Sequence, residues 1–380
     1  MITIFEDSTA LNFEPISLTR PVFDIRYGSF TLYERLKDLC NNKITAFYVR
    51  DSLKEFVQRK HLNSLLSYEE TSNQVWLNGR VIWTKDLIDR ITSSKKSVFV
   101  TEDNLVALNL PNDNSVIVNL IKDFSRESIP EGIVVHELKV EKINYLWDIL
   151  SNIKNIVIGE QKESNGSFKK YKNIVIDESE GPVIIQDNVV IEPFTYLKGP
   201  LIIDVGSKIL SHSRIQNSII GPGCKIGGEV SGTIFQGWSN KGHYGFLGDS
   251  FVGEWVNFGA GATNSNLKNN YKSVLVNVNN NIIDTNSLFI GLFIGDHSKI
   301  SIGSQINTGT NIGVGCSILA QTFPDTHIPS FSFYNNGNIK NINFEKFIDT
   351  TKIVKDRRNQ FLDEKEIKLL KKIHKSSLIS

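Results

Sequence analysis

The chain has 380 residues, of which 40% are hydrophobic, and this length suits about two or three domains. The 42 basic residues balance 41 acidic ones, which excludes recruitment of nucleic acid or an anionic membrane through overall charge. Three dispersed cysteines, the lack of a signal-peptide pattern and the lack of a ~20-residue apolar stretch predict a soluble, cytoplasmic protein without a disulfide framework.

Residues 1–165 alternate short apolar runs with amphipathic stretches, which predicts an α/β, Rossmann-like domain with a mainly parallel sheet. The runs interpreted as strands are Ile2–Phe5, Ile44–Val49, Ser97–Thr101, Ser115–Val118, Gly132–His136 and Ile156–Ile158. The amphipathic stretches are Thr31–Leu39, Trp83–Ile91 and Glu141–Ile153. A polar segment, Glu160–Lys172, is interpreted as the connection to the next domain.

Aliphatic residues then recur at every sixth position, a period that fits neither an amphipathic helix nor a simple alternating strand. The series runs from Ile185 to Ile215 and again from Val276, through Ile282 and Leu288, to Ile318. Such a repeat is typical of a β-solenoid with three flat faces, whose aliphatic side chains stack inward from coil to coil. We therefore predict a parallel β-helix over residues 166–325, with roughly seven or eight coils.

Residues 326–380 form a third region. Pro324–Asn343 is predicted as loop, and Phe344–Ser377 has a helical pattern with a start at Asp363. An apolar stripe of Ile367, Leu370 and Ile373 indicates packing against another element. Two interpretations stay open: a cap on the end of the solenoid, or an arm that binds a partner.

The repeat is disturbed between Gly228 and Tyr271, and this stretch also holds the most reactive side chains. His243 stands between glycines beside Lys241, where an imidazole is well suited to accept a proton near neutral pH. A structural histidine is the alternative interpretation. The small residues at Gly259–Gly261 would let backbone N–H groups approach a ligand closely.

The stretches Ser239–Asp249 and Val256–Asn266 resemble the acetyltransferase half of the bifunctional N-acetylglucosamine-1-phosphate uridyltransferase/glucosamine-1-phosphate N-acetyltransferase family. The segment Leu18–Pro21 and the tail Val354–Leu362 resemble a shorter, divergent branch of that family found in bacteria and archaea. The resemblance extends over nearly the whole chain.

This resemblance implies a left-handed parallel β-helix that assembles as a homotrimer, with acetyl-CoA bound between neighbouring prisms. It implies that His243 is the general base, and that the backbone N–H of Ala260 contacts the thioester. The residues that match acceptor-binding positions are Lys241, Asn257, Asn266 and Lys272. Phe246 departs from the better-known branch, which has a tyrosine there, so the identity of the amino sugar stays open.

The amino-terminal domain lacks the glycine-rich phosphate loop of ordinary sugar-nucleotide pyrophosphorylases, since no glycine precedes Gly28. Arg20 and Arg26 are the candidate phosphate-binding residues, because planar guanidinium groups match phosphate geometry; surface arginines are the alternative. Asn78–Arg80 is interpreted as a hairpin turn. Mg²⁺ is expected for nucleotidyl transfer, and Asp7 is a possible ligand, but the metal site is not identified.

The leading hypothesis is an enzyme with two activities. The β-helix would transfer acetyl from acetyl-CoA to the amine of a hexosamine-1-phosphate, and the amino-terminal domain would couple the product to UTP. The second hypothesis is a single acyltransferase for another amino sugar or sugar nucleotide, whose amino-terminal domain only binds a nucleotide sugar. A third is a non-enzymatic trimerisation scaffold, which would not require the polar cluster around His243.

Overall fold

A computed structural model of the chain describes residues 2–61, 66–67, 75–110, 114–160 and 172–378. These residues form two compact units. The amino-terminal unit comprises Met1–Phe13, Arg20–Ile25 and Phe30–Asn144, and the carboxy-terminal unit comprises Glu14–Thr19, Arg26–Ser29 and Tyr145–Ser380. The domain boundaries at residues 165 and 325 stay predictions, although the segment from Tyr145 packs with the carboxy-terminal unit.

A mixed sheet organises the amino-terminal unit, as expected for an α/β domain. Its seven described strands lie in the order Leu66–Ser67, Ile44–Tyr48, Ile2–Phe5, Val75–Asn78, Asn104–Asn109, Ser97–Thr101 and Val134–Glu137. Only Asn104–Asn109 runs antiparallel to its neighbours among these strands. The chain adds the strand Ile44–Tyr48 on one side of Ile2–Phe5 and then Val75–Asn78 on the other. This reversal of strand order is a switch point, and ligands of open α/β sheets bind at the carboxyl ends of the strands beside such a point.

The α-helices of this unit are Leu32–Leu39, Lys54–His61, Lys85–Ser93 and Asn114–Lys122, and short 3-10 helices span Ser8–Phe13, Val22–Asp24 and Arg126–Ser128. The prediction of Ser115–Val118 as a strand is wrong. Ile117, Leu120 and Ile121 are buried at helical spacing, so the apolar run is one face of a helix.

A second misassigned run lies in the carboxy-terminal unit. Ile156–Ile158 falls within the helix Ile153–Gly159, which follows the helix Leu146–Ser151. Short apolar runs cannot be assigned by periodicity alone, and in both cases the run predicted as a strand lies in a helix with one buried face.

The carboxy-terminal unit contains the predicted parallel β-helix, whose coils each place strands on three faces. Face 1 consists of Val190–Ile191, Lys208–Ile209, Lys225–Ile226, Asn240–Lys241, Asn257–Phe258, Lys299–Ile300, Ser317–Leu319 and Ser332–Asn335. Face 2 includes Val175–Asp177, Glu229–Ser231, Phe246–Gly248, Thr263–Asn264 and Gln305–Ile306. Face 3 includes Val183–Ile185, Ile234–Gly237, Phe251–Glu254, Leu292–Ile294, Thr310–Ile312 and His327–Ile328. Tyr196–Ile203 and Arg214–Ile220 each contribute to faces 2 and 3.

Stacked aliphatic side chains fill the β-helix, which confirms the interpretation of the six-residue period. Ile209, Ile226, Ile300 and Ile318 on face 1 are at most 2% exposed. The period fails between Val276 and Leu288. That stretch forms an antiparallel hairpin, Leu275–Val278 with Asn281–Asp284, which leaves the coil, and Ile282 is 71% exposed.

The β-helix continues beyond residue 325, so the prediction of loop over Pro324–Asn343 is wrong. The strands His327–Ile328 and Ser332–Asn335 extend faces 3 and 1, and Asn338–Asn341 returns antiparallel to the second of them. The two helices that follow are Phe344–Asp356 and Glu364–Ser376.

The predicted helix start at Asp363 is confirmed, since its carboxylate accepts hydrogen bonds from the N–H groups of Lys365 and Glu366. Within the described part of the chain, no helix is both long and apolar enough to cross a bilayer.

Candidate active site at a corner of the β-helix

His243 lies at a corner where the chain passes from face 1 to face 2. The corner spans Gly242–Gly245 between the strands Asn240–Lys241 and Phe246–Gly248, and the imidazole is exposed. Gly245 has φ +125°, and a Cβ there would lie 2.2 Å from the carbonyl oxygen of Ala262. Only glycine fits this approach, so the conformation that presents His243 is built into the sequence.

Ala260 lies on the same edge of the β-helix, one coil further on. The N–H of the adjacent Gly261 donates to the carbonyl of Tyr244 over 2.9 Å, which ties the two corners together. The Ala260 N–H itself makes no hydrogen bond to the described residues, whereas its carbonyl accepts from Gly303 at 2.8 Å. A base and a backbone donor therefore occupy neighbouring coils, and strands stack about 4.8 Å apart.

Lys241 occupies an unexpected place for a ligand-binding residue. Its side chain is buried, and its ammonium donates to the carbonyls of Gly227 (2.8 Å), His243 (3.1 Å) and Gly245 (2.7 Å). Burial lowers the pKa of Lys241 to about 8, and the nearby Glu229 charge opposes that shift. All three N–H donors are occupied, so this placement does not support the predicted contact with the acceptor.

Asn257 lies on face 1 beside this corner, paired with a second amide. Asn240 Nδ2 donates to Asn257 Oδ1 over 2.8 Å. Lys299 is in register with Asn257, and burial lowers its pKa to about 8. Asn257 is half-buried.

Asn266 and Lys272 lie beyond the far edge of face 2. Asn266 Nδ2 donates to Asp249 Oδ2 over 2.6 Å, and burial raises the pKa of Asp249. Lys272 is exposed on the segment that leaves the β-helix just before the hairpin strand Leu275–Val278. Because the strand Phe246–Gly248, about 10 Å long, separates Asp249 from the His243 corner, one protomer does not gather all the predicted acceptor residues at His243.

Sequence reasoning missed two charged residues on face 2. Glu229 is in register with Phe246, and Arg214 is in register with Glu229, so both occupy successive coils below the strand that follows His243. Both side chains are exposed, and Arg214 lies 6.0 Å from the centre of the Tyr196 ring. The register shift after Ile215 hid this alignment, because an unbroken six-residue count does not bring Arg214 and Glu229 onto one column.

Arg26 is tied into the carboxy-terminal unit. Its Nη1 lies 2.8 Å from Asp204 Oδ2, and its Nε donates to the carbonyl of Gln236 at 3.0 Å. Nη1 also donates to the carbonyls of Gly28 and Ser29, and the residue is buried. Nε and Nη1 are committed to these partners, which favours a role in packing, and the phosphate-binding role of Arg26 stays a prediction.

Arg20 belongs to the amino-terminal unit and is 3% exposed, unlike a surface arginine. Its carbonyl accepts from Arg50 Nη2 at 3.3 Å. Arg50 pairs with Glu6, a buried carboxyl whose pKa burial raises. The phosphate-binding role of Arg20 stays a prediction.

A polar cluster lies at the carboxyl ends of Ile2–Phe5 and Val75–Asn78, beside the switch point of the sheet. Asp7 Oδ2 accepts from Asn78 Nδ2 at 2.7 Å and from Arg80 Nε at 3.1 Å. Asn78–Arg80 is therefore not a hairpin turn, because the following residues do not pair back onto the strand it ends. Sequence reasoning treated this segment as a turn only, although its position directly after a buried strand was the available signal.

Asp7 does not fit a Mg²⁺ ligand in this arrangement. Arg80 already neutralises its carboxylate, and the N–H of Thr9 donates to its other oxygen at 3.0 Å. The described residues contain no group of three His, Cys, Asp or Glu side chains suited to a metal ion.

Comparison with known proteins finds a family similar to the amino-terminal region. Residues 2–159 match the family model described as "Sugar nucleotidyl transferase". This region is therefore similar to sugar nucleotidyl transferases. The resemblance drawn from Leu18–Pro21 and Ser239–Asn266 is confirmed by relatives whose names describe bifunctional proteins.

A bifunctional sugar-1-phosphate nucleotidylyltransferase/acetyltransferase of Sulfurisphaera tokodaii is 33% identical over 184 residues, covering 47% of this chain and 46% of the relative. A bifunctional protein GlmU of Methanococcus aeolicus is 30% identical over 221 residues, covering 57% and 52%. The chain thus spans about half the length of the curated relatives it matches.

Among solved structures, a UDP-N-acetylglucosamine acyltransferase of Francisella novicida shares 12% identity at a TM-score of 0.30 and covers 54% of this chain and 84% of its own.

Proposed function

We propose that the β-helix transfers acetyl from acetyl-CoA to the amine of a hexosamine-1-phosphate of the glucosamine-1-phosphate type. The observation that carries this proposal is the shared corner of His243 and Ala260 on neighbouring coils. It provides an imidazole base beside a backbone N–H donor. The name of the Sulfurisphaera tokodaii relative, which includes an acetyltransferase, supports the same chemistry.

In the proposed step, the neutral amine nitrogen attacks the thioester carbonyl carbon, and the Ala260 N–H stabilises the oxygen that becomes negative. Collapse of this intermediate forms the amide, breaks the C–S bond and releases the CoA thiolate. His243 accepts the proton lost by the amine and passes it to the thiolate. Arg214 and Glu229 supply one cation and one anion on face 2 for a substrate that carries both phosphate and ammonium.

We further propose that the amino-terminal unit then couples the N-acetylated sugar phosphate to UTP. A sugar phosphate oxygen attacks the α-phosphorus, and pyrophosphate leaves. The family match over residues 2–159 supports this activity. A homotrimer, in which a neighbouring β-helix completes the acceptor site, accords with the separation of His243 from Asn266 and Lys272. The trimer, the Mg²⁺ requirement and the cytoplasmic location stay predictions.

Release of CoA thiol from acetyl-CoA and glucosamine-1-phosphate tests the acetyl transfer directly. We expect His243→Ala to slow the reaction about 10²–10⁴-fold. His212→Ala is the matched control, because His212 is also an exposed histidine at a corner of the β-helix but stacks on Phe194. Equal rates for wild type and His243→Ala would remove the proposal.

The second candidate function is a single acyltransferase whose amino-terminal unit only binds a nucleotide sugar. The commitment of Arg26 to Asp204 and of Asp7 to Arg80 favours it, because both groups are withdrawn from nucleotide chemistry. Pyrophosphate release from UTP and N-acetylglucosamine-1-phosphate separates the candidates. No release, with UDP-sugar binding retained, supports the second.

A further inference from the structure

Lys241 stands in a column of core residues. It is in register with Ile226, which is in register with Ile209, and all three side chains are at most 2% exposed. A buried charge is costly unless its hydrogen bonds are made, and an isoleucine would continue the aliphatic stack at no such cost. The lysine therefore has a task that core packing does not explain.

The partners of the ammonium indicate that task. Two of its three carbonyl acceptors, those of His243 and Gly245, belong to the corner that presents the imidazole. The third, that of Gly227, belongs to the preceding coil, whose N–H groups at Gly227 and Glu229 donate to the carbonyls of Lys241 and Gly245. The ammonium thus connects the exposed corner to the rigid coil beneath it.

The corner has few other fixed points. Gly242 and Gly245 flank His243 and Tyr244, and glycine restricts the backbone least. Tyr244 is 73% exposed, so its ring does not pack into the core. Its backbone carbonyl is fixed by the N–H of Gly261. Without the ammonium, the carbonyl of His243 loses a partner on the residue that must be placed most accurately.

We infer that Lys241 is a positioning residue, whose buried ammonium fixes the Gly242–Gly245 corner so that His243 faces the acceptor amine. This inference rests on the proposed acetyl transfer and replaces the predicted contact between Lys241 and the acceptor. A lysine that bound the sugar phosphate would act on acceptor affinity. A lysine that positions the base acts on the chemical step.

Lys241→Met tests the inference, because methionine has a similar length but no charge or donor. We expect kcat for thiol release to fall on the order of 100-fold, since small misplacement of a catalytic group has effects of that size. The KM for the amino-sugar phosphate should change less than about twofold. Lys225→Met is the matched control: Lys225 precedes Ile226 on the neighbouring strand, but it is exposed.

Hydrogen exchange of the amides of residues 242–246 gives a readout that needs no activity. We expect faster exchange in Lys241→Met than in wild type or Lys225→Met. Lys241→Gln keeps two donors and should give intermediate exchange and an intermediate kcat, which also covers the case in which the methionine variant does not fold.

Unchanged exchange at the corner, or a raised KM with kcat intact, overturns the positioning role. Faster exchange in a protein whose wild type acetylates no amino-sugar phosphate leaves that role standing and instead removes the proposed acetyl transfer. The two failures are therefore distinguishable.

Discussion

The switch point of the amino-terminal sheet and the His243 corner of the β-helix use polar side chains in opposite ways. At the switch point, Asp7 and Arg80 satisfy each other, and Arg80 is 2% exposed. At the corner, buried groups such as Lys241 satisfy the backbone, while the imidazole of His243 stays exposed. The His243 imidazole is therefore available to a substrate, because the Lys241 ammonium and not the imidazole holds the backbone of the corner.

The largest effect on stability is expected from a substitution at the switch point. Arg80→Met leaves the Asp7 carboxylate without its guanidinium partner, and breaking a buried ion pair costs about 3–5 kcal/mol. Chemical denaturation should show that loss, while Arg90→Met, an exposed change on the helix Lys85–Ser93, should be nearly neutral. Normal stability with lost UTP binding would instead place Arg80 in a nucleotide site.

Gly245→Ala tests the corner itself. The alanine Cβ would meet the Ala262 carbonyl at 2.2 Å in a backbone with φ +125°, so the corner must shift. Positions of this kind store about 1–3 kcal/mol of strain for other residues, and we expect acetyl transfer to fall at least tenfold. Gly206→Ala is the control, since its φ is also positive but no atom lies within 4 Å of the added carbon. Equal activity of both variants would contradict a rigid corner.

A smaller effect is expected from a substitution in the segment that precedes the hairpin strand Leu275–Val278. Lys272 is exposed and is predicted to bind the acceptor, so Lys272→Ala should raise the KM for the sugar phosphate several-fold with kcat nearly unchanged. Steady-state kinetics at low ionic strength would measure this. The exposed Lys340→Ala, on the strand Asn338–Asn341, is the control. A fall in kcat alone would argue against a binding role.

The smallest expected effect concerns the pH dependence of stability. The pKa of Lys299 is about 8 in the folded protein because of burial, below the usual 10.5 of the unfolded chain. Between these values the unfolded state binds more protons, so stability rises with pH across this window. Lys299→Met should remove a rise of about 1 kcal/mol, measured by denaturation at pH 8 and pH 9. An identical slope in both proteins would show that Lys299 is not desolvated.

The two units also differ in how far their structures could be predicted. The strands Ile2–Phe5 and Ser97–Thr101 were assigned correctly. Ser115–Val118 was not, because four apolar residues are compatible with either a strand or one helix face. For the site, His243 and Ala260 were predicted from the family motif and lie on neighbouring coils. No pattern in the sequence indicated that hydrogen-bond donors of Lys241 and Arg26 would be used by groups within the protein.

The six-residue period by itself determined that the chain coils and that its aliphatic residues point inward, because each face needs one core residue per turn. The glycines around His243 likewise fix where a corner forms. Only the tertiary structure decided that Lys241 points into the core, that Val276–Leu288 leaves the coil, and that Arg26 pairs with Asp204. For Lys241 and Arg26 a deciding partner, the Gly227 carbonyl and the Asp204 carboxylate respectively, lies on another coil or segment. Local spacing in the sequence does not indicate which distant group will satisfy a buried charge.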